Sequence, residues 1–428
     1  GAGTGQFSFY FLKHLTHFQK LLKLEHVKIR YVMSDVTSKP FEFWKTHHAL
    51  APFFQSGILT CMEYDLYKTD HPELKTQNPL IVIANYLFDS IATDVFTVND
   101  GQLFESSVTL KTPADNVKEG RPDQWDKIEI NYNKKLIQDR YYGNEFDSIL
   151  FAYQHQLIDT HFQFPIASLV ALKNMQALCN NQFLLLTSDK GYTNLDELDH
   201  CDYPELDFHG CFSVMVNYHA ISEFLKQCGG DSIIQSFREN IVSGVLTSGF
   251  SLSDCPQLAM AANQHIQGFG PTDYFLIYEH FIERYKECSL EVMSSYLNLS
   301  GWDPNVFDHI AEYFCDLASE GDPEVISYLS AHMHCIAENF YHLPSSEDAL
   351  FNIGLFFQNI GQFDRAIHYY HESERYFGPS DVVLFNTAMC LYSMDKNLEA
   401  IAHLERALEF NADATEIKEW IEVIKANK

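Results

Sequence analysis

Two segments near the end of this 428-residue chain, FNIGLFFQNIGQFDRAIHYYHESERYFGPS and LFNTAMCLYSMDKNLEAIAHLERALEFNAD, align when one is shifted by 34 residues. Gly354 then falls on Ala388, Phe357 on Leu391, Ala366 on Ala400, Tyr370 on Leu404 and Ser373 on Ala407. Small residues sit where two helices must approach closely, and large ones fill the space between. A fixed period of this kind means that each unit is a helix pair burying its apolar face on the next unit. The stretch DATEIKEWIEVIKA, 413–426, has a polar outer face and reads as the helix that caps the stack. From about residue 253 onward every segment reads as helix, and 303–341 are expected to stack below the repeats.

The chain before residue 253 reads differently. Helix and strand signals alternate there, the pattern of a mostly parallel α/β sheet. After GAGTGQ, the residues Phe7, Phe11, Leu15, Phe18 and Leu22 recur at helical spacing. VKIRYVMSD (27–35) reads as a strand and KPFEFWKTHHALAPFF as one helix. ILTCMEYD (58–65), NPLIVIANY (78–86) and QFLLLTSDKGYT (182–193) read as further strands, the second apolar enough to be central. DVFTVNDGQLFESSVTL reads as a hairpin on Asn99-Asp100-Gly101. Residues 113–142 and 188–208 read as irregular excursions, and HGCFSVMVNYHAISEFLKQCGG (209–230) as strand, helix and glycine stop.

Composition narrows the function classes. With 58 Asp and Glu against 29 Lys and Arg, the formal charge is −29, which opposes binding a phosphate backbone. No nucleic-acid partner is expected. No apolar run approaches the ~20 residues that span a bilayer, so no membrane is expected either. The ten cysteines show no CxxC and no zinc spacing, and read as reduced thiols of a cytoplasmic protein.

The chemistry-bearing residues cluster at expected strand ends. GAGTGQ lacks the sixth-position glycine of a dinucleotide loop, because Gln6 stands there. Its GxGxG spacing (Gly1, Ala2, Gly3, Thr4, Gly5) suits a turn whose backbone must lie close to a cofactor. YVMSD ends on Asp35, where a carboxylate can accept the hydroxyls of a ribose, or can simply cap a turn. MEYD ends on Asp65, where an adenine amino group needs an acceptor. IANYLFDS places Asn85 and Tyr86 just beyond a strand. An amide oxygen there can accept from a substrate amine, a tyrosine ring can wall out water, and Asp89 can anchor a cationic group. In the blander alternative Asn85 caps the next helix and Phe88 is core.

Taken in this order, the glycine turn, Asp35, Asp65 and ANYLFDS resemble a class I S-adenosylmethionine-dependent methyltransferase. IANYLFDSIATDVFTVNDGQLFE is similar, more narrowly, to the MidA-like group, which includes a mitochondrial complex I assembly factor that methylates arginine. That group has Ala-Asn-Glu where this chain has Tyr86, so a carboxylate suited to a guanidinium is replaced. LLLTSDKGY resembles the group's later strand ending in Asp-Tyr-Gly, with Asp189 and Gly191 matching. The 34-residue period resembles tetratricopeptide repeats.

The resemblance implies a Rossmann-like sheet over 1–252, a helical linker or degenerate repeats over 253–345, and repeats with a cap over 346–428. It implies S-adenosyl-L-methionine as cofactor, held by Gly1, Ala2, Gly3, Thr4, Gly5, Asp35 and Asp65, with Asn85, Tyr86 and Asp89 at the acceptor. The repeats imply a protein partner, and hence a protein side-chain nitrogen as acceptor. The alternatives are a catalytically inactive adaptor on the same fold, and a small-molecule methyltransferase. The resemblance also implies a first strand before Gly1, so two strand edges are expected to be unpaired. Elsewhere, His332 and His334 lie on different helix faces and are not read as a metal site. KTHH reads as a solvated helix face. Asn217, Tyr218 and His219 are offered as a cap, with His219 as a proton acceptor in the sharper alternative.

Overall fold

The computed structural model describes residues 1–68, 71–111, 128–208, 212–236 and 241–426. The chain runs α1 (Gln6–Leu21), β1 (Tyr31–Asp35), α2 (Phe41–Thr46), α3 (Ala51–Gln55), β2 (Leu59–Glu63), β3 (Leu80–Asn85), β4 (Asp94–Asn99), β5 (Gln102–Lys111) and β6 (Glu129–Leu136). It continues through α4 (Phe146–Gln156), β7 (Thr160–Phe164), α5 (Ile166–Leu178), β8 (Phe183–Asp189), β9 (Gly191–Tyr192), β10 (Asp207–Phe208), β11 (Phe212–Ser213) and β12 (Val216–Asn217). Next come α6 (Tyr218–Gln227), β13 (Ser232–Ile234), β14 (Val242–Ser248), α7 (Pro256–Ala262), α8 (Pro271–Arg284), α9 (Leu290–Leu299), α10 (Pro304–Ala318) and α11 (Pro323–Asn339). The last helices are α12 (Ala349–Asn359), α13 (Phe363–Phe377), α14 (Asp381–Ser393), α15 (Asn397–Phe410) and α16 (Thr415–Ala426).

Two compact units result: Gly1–Gly3, Val32–Phe41 and Thr60–Ile277 form one, and Thr4–Tyr31, Glu42–Leu59 and Tyr278–Lys428 the other. In the first, one sheet has the order β13-β14-β8-β3 and another β6-β5-β4-β7, and β1 pairs β2. The β3–β8 pair is parallel and β14 runs antiparallel to β8. The hydrogen bonds Tyr31 N to Ile58 O and Tyr64 N to Asp35 O advance together along both strands, which is parallel pairing. Alternate burial along FLLLTSD and complete burial of VSGVLTS make β8 and β14 the heart of their sheet.

The core beside it is aromatic. Phe96, Phe162, Phe164, Tyr153 and Phe146 are all fully buried in one cluster.

Several expectations meet this fold. The hairpin forms as read: Asn99 faces Gln102, and Asp100 and Gly101 take φ of 51° and 70°, a type I′ turn matched to the strands' twist. β3, expected to be central, ends its sheet among the described residues, and Ile81 is 59% exposed. A continuous apolar run reports two apolar faces; it does not count strand neighbours.

EINYNKKL, expected to be irregular, is β6, paired with β5 from Phe104↔Leu136 to Lys111↔Glu129. Its polar composition hid it from a hydrophobicity pattern, and most of the rest of 113–142, up to residue 127, lies outside the described residues. KPFEFWKTHHALAPFF is two short helices, because Pro52 has no N–H to continue a ladder and starts α3 instead. Residues 209–211 of the expected strand before α6 also lie outside the described residues; the short strands β11 and β12 stand between them and α6.

In the helical unit the 34-residue period is a backbone fact. Gly361 and Asp395, 34 apart, both take left-handed turns with φ of 73° and 61°. Gln362 N–H bonds Phe357 O at 2.8 Å, and Lys396 N–H bonds Leu391 O at 2.9 Å, again 34 apart. A Cβ at Gly354 would overlap the Tyr370 ring, so α12 packs on α13 through the missing side chain. Gly354→Val is therefore expected to lower stability by about 2–3 kcal/mol through overpacking, read as a lower urea midpoint.

Of KTHH, Lys45, Thr46 and His48 are exposed as a solvated face requires, and His47 alone is buried. His47 is 7% exposed, stacks on Tyr341 with centroids 3.8 Å apart, and points Nε2 at the His342 carbonyl at 2.8 Å. Ala49 N–H donates to its Nδ1, which makes His47 a neutral ring with its proton on Nε2. The His48 ring is hydrogen-bonded to the Tyr376 hydroxyl at 2.9 Å. Burial, then the neighbouring His47, Arg375 and His342, pushes His48 down to about 4, and burial lowers His47 as well.

Both imidazoles thus take up protons more readily unfolded than folded. The stability that their neutral forms contribute is present above pH ~6.5 and is lost as pH falls toward 4. Melting temperature is expected to drop between pH 6.5 and 4.5 more steeply in the natural protein than in His48→Gln.

Candidate active site

Strand ends build the site. Ala2 N–H donates to Ser34 O at 2.8 Å, which lays the glycine turn along the edge of β1 at its carboxyl end. A Cβ at Gly1 would stand 3.3 Å from Asp35 Oδ2, closer than an ordinary contact, so the backbone there lies directly against the carboxylate. Gly3 has φ of +56°, and a Cβ there would meet nothing within 4 Å, leaving open space above the turn. Thr4 and Gly5 belong to the helical unit: the Thr4 carbonyl accepts from the Tyr341 hydroxyl, and Gly5, φ 85°, is the N-cap of α1.

Asp35 and Asp65 come together through the backbone bond from Tyr64 N to Asp35 O, 2.8 Å. Each carboxylate turns its own loop: Asp35 Oδ1 accepts from Thr37 N at 3.2 Å, and Asp65 Oδ1 from Tyr67 N at 3.0 Å. Lys68 stands 3.7 Å from Asp65 Oδ2. The two acids therefore do the structural job of turn residues; Asp35 keeps its second oxygen for further hydrogen bonds, while that of Asp65 faces Lys68.

Asn85 closes β3 opposite Ser188, and its side-chain amide has no hydrogen-bond partner among the described residues. It does not cap a helix; the short turn over 88–90 is capped by Leu87 without a side-chain bond, while Phe88 is core at 4% exposure. Tyr86 comes next with φ of 49°, a conformation unusual for a bulky residue, and its ring is 63% exposed. Asp89 accepts from its neighbour Ser90 at 2.7 Å.

Asp189 underlies this loop. It is fully buried, its Oδ2 accepts from Leu87 N at 3.0 Å and Asp89 N at 3.2 Å, and its Oδ1 from Lys190 N at 3.0 Å. Burial and the Asp89 charge push its carboxyl up to about 7, against the pull of three amide donors. The residue stands in TSDKGY of the later strand; nothing in the spacing showed that it would reach across to the loop after β3.

Asn217 caps α6 by accepting from Ala220 N, and Tyr218 is buried against Thr187. His219 meets the buried Tyr153 hydroxyl at 2.8 Å. Among the described residues, no group of His, Cys, Asp and Glu has the arrangement of a metal site, and no helix is long and apolar enough to cross a membrane.

No family model matches the chain, and no curated protein matches it. Among solved structures it is similar to a protein from Burkholderia thailandensis described as "a COG1565 superfamily member and likely methyl transferase", solved bound to S-adenosyl-homocysteine. The two are 12% identical with a TM-score of 0.38, over 58% of this chain and 70% of that one. A likeness of that size fixes neither fold nor activity.

Proposed function

We propose that the first unit is an S-adenosylmethionine-dependent methyltransferase acting on a protein side-chain nitrogen. The observation that carries the reading is the Gly1 backbone lying against the Asp35 carboxylate, with Asp65 on the neighbouring strand end. A cofactor with two ribose hydroxyls and an exocyclic amine needs a surface without side chains beside two carboxylates, and these residues fit that demand. The Burkholderia protein was solved with the corresponding demethylated product; the reading for this chain rests on its own strand ends.

When bound, S-adenosylmethionine supplies a methyl group on a sulfonium, so displacement needs alignment more than acid or base. Asp35 would accept from the ribose hydroxyls and Asp65 from the adenine amine. The unpartnered Asn85 oxygen would accept from the substrate N–H and direct the nitrogen lone pair. Tyr86 would exclude water, and Asp89 would hold the cationic part of the acceptor. The helical pairs with their 34-residue period, read as tetratricopeptide repeats, would recruit the protein that carries the acceptor.

Incubating the full-length protein with a lysate and methyl-labelled S-adenosylmethionine tests the acceptor class. Label is expected in the protein fraction and absent from it with Asn85→Ala. Label confined to small metabolites would overturn the protein acceptor.

A further inference from the structure

We propose that Asp189 is the positioning residue of the acceptor loop: its buried carboxylate clasps the backbone N–H groups of Leu87 and Asp89 and so holds Tyr86 in the left-handed conformation that turns its ring outward. The inference rests on the methyltransferase reading for what the loop is for, but its geometry stands apart from it.

A bulky residue at φ of 49° is strained, and it persists only where its surroundings over-determine it. The surroundings here are explicit. Tyr86 N–H is tied to Ser188 O at 2.9 Å on one side. The next amide, Leu87 N, and the one two further on, Asp89 N, both end on Asp189 Oδ2. Chain entry and exit are thus pinned to consecutive residues of β8, and φ at Tyr86 is what closes the gap between them. Left unpinned, the loop could relax to ordinary backbone and the ring would leave the site.

The clasp is itself held. Asp189 Oδ1 accepts from Lys190 N, and Val216 N donates to Lys190 O. Val214 N donates to Asp89 O at 3.0 Å, so the 212–216 strap grips the far side of the same loop. A Cβ at Gly191 would lie 2.5 Å from Val216 O and 2.7 Å from the Tyr218 ring, so only glycine lets the chain after Asp189 pass this close. Lys190 itself is paired with Asp207. No donor other than backbone amides reaches the Asp189 carboxylate among the described residues, as a backbone clasp requires.

Asp189→Ala removes both accepting oxygens, including the Oδ2 on which the Leu87 and Asp89 amides end. In the full-length protein, hydrogen exchange at the Leu87 and Asp89 amides is expected to rise at least tenfold. The amides of Val82–Ala84 and Leu185–Thr187 are expected to stay protected. S-adenosylhomocysteine affinity should hold within about twofold, while KM for the methyl acceptor rises about tenfold with a smaller change in kcat. Asp189→Glu, whose oxygens are displaced, should not restore the loop.

Unchanged protection at Leu87 and Asp89 in a folded Asp189→Ala protein would overturn the proposal. So would equal loss of protection throughout β3 and β8, which would make Asp189 a general core residue. If the variant does not fold, the natural protein decides: the Leu87 and Asp89 amides must exchange as slowly as those of β3, and fast exchange there refutes the clasp. If the exchange pattern holds and no cofactor binds, the clasp stands and the methyltransferase reading falls.

Discussion

Asp35→Ala is expected to weaken S-adenosylhomocysteine binding about 100-fold by calorimetry, with little change in melting temperature. Hydrogen bonds to a charged acceptor contribute about 1.5–3 kcal/mol each, and the ribose offers two hydroxyls to one carboxylate. Two such bonds lost, partly offset by water entering the gap, leave a deficit of ~2.7 kcal/mol, or two decades in affinity. The fold should tolerate the change, because the only side-chain bond of Asp35 among the described residues is the local one from Thr37 N at 3.2 Å. Asp35→Asn should fall between the natural protein and alanine, since it keeps one accepting oxygen. Loss confined to stability, with affinity unchanged, would make Asp35 a turn residue and nothing more.

Phe96→Ala is expected to have the largest effect on stability, about 3–5 kcal/mol. Phe96 is fully buried in β4. Its ring lies 5.0 Å from Tyr141, 5.9 Å from Phe162 and 6.1 Å from Phe164 by centroid. Tyr141 and Tyr142 are held from swinging into the void by their hydroxyls, which are bound to Glu105 and Asp94. A cavity that cannot collapse costs both the transfer energy of the lost ring and the contacts of its walls. Urea denaturation should show a lower midpoint at an unchanged slope. A loss under about 1 kcal/mol would mean that the second sheet is loosely packed.

What was legible in the sequence was what short-range chemistry dictates. Asn99-Asp100-Gly101 demands a hairpin, and the structure makes one in the implied register. The 34-residue period survives in the two left-handed turns at Gly361 and Asp395 and in their matched backbone bonds. YVMSD and MEYD put Asp35 and Asp65 at strand ends, and the structure brings those ends side by side.

What was not legible depended on partners distant in sequence. β3 is apolar throughout, yet its neighbours are set by topology, and it ends its sheet among the described residues. β6 is polar and forms only because β5 supplies its ladder. His47 looks like part of a solvated run, and is buried by Tyr341 some three hundred residues on. Asp189 stands in a strand-like segment, while its work is done on a loop about one hundred residues earlier. Local pattern fixes an element's kind; only the assembled chain decides which buried carboxylate meets which amide.

The central claim is that the strand ends at Gly1, Asp35 and Asp65 hold S-adenosylmethionine. Calorimetric titration of S-adenosylhomocysteine into the full-length protein tests it most directly. A single site with micromolar or tighter affinity is expected, and Asp35→Ala is expected to remove it. No measurable heat from a folded, full-length protein, or binding that Asp35→Ala leaves untouched, would contradict the claim.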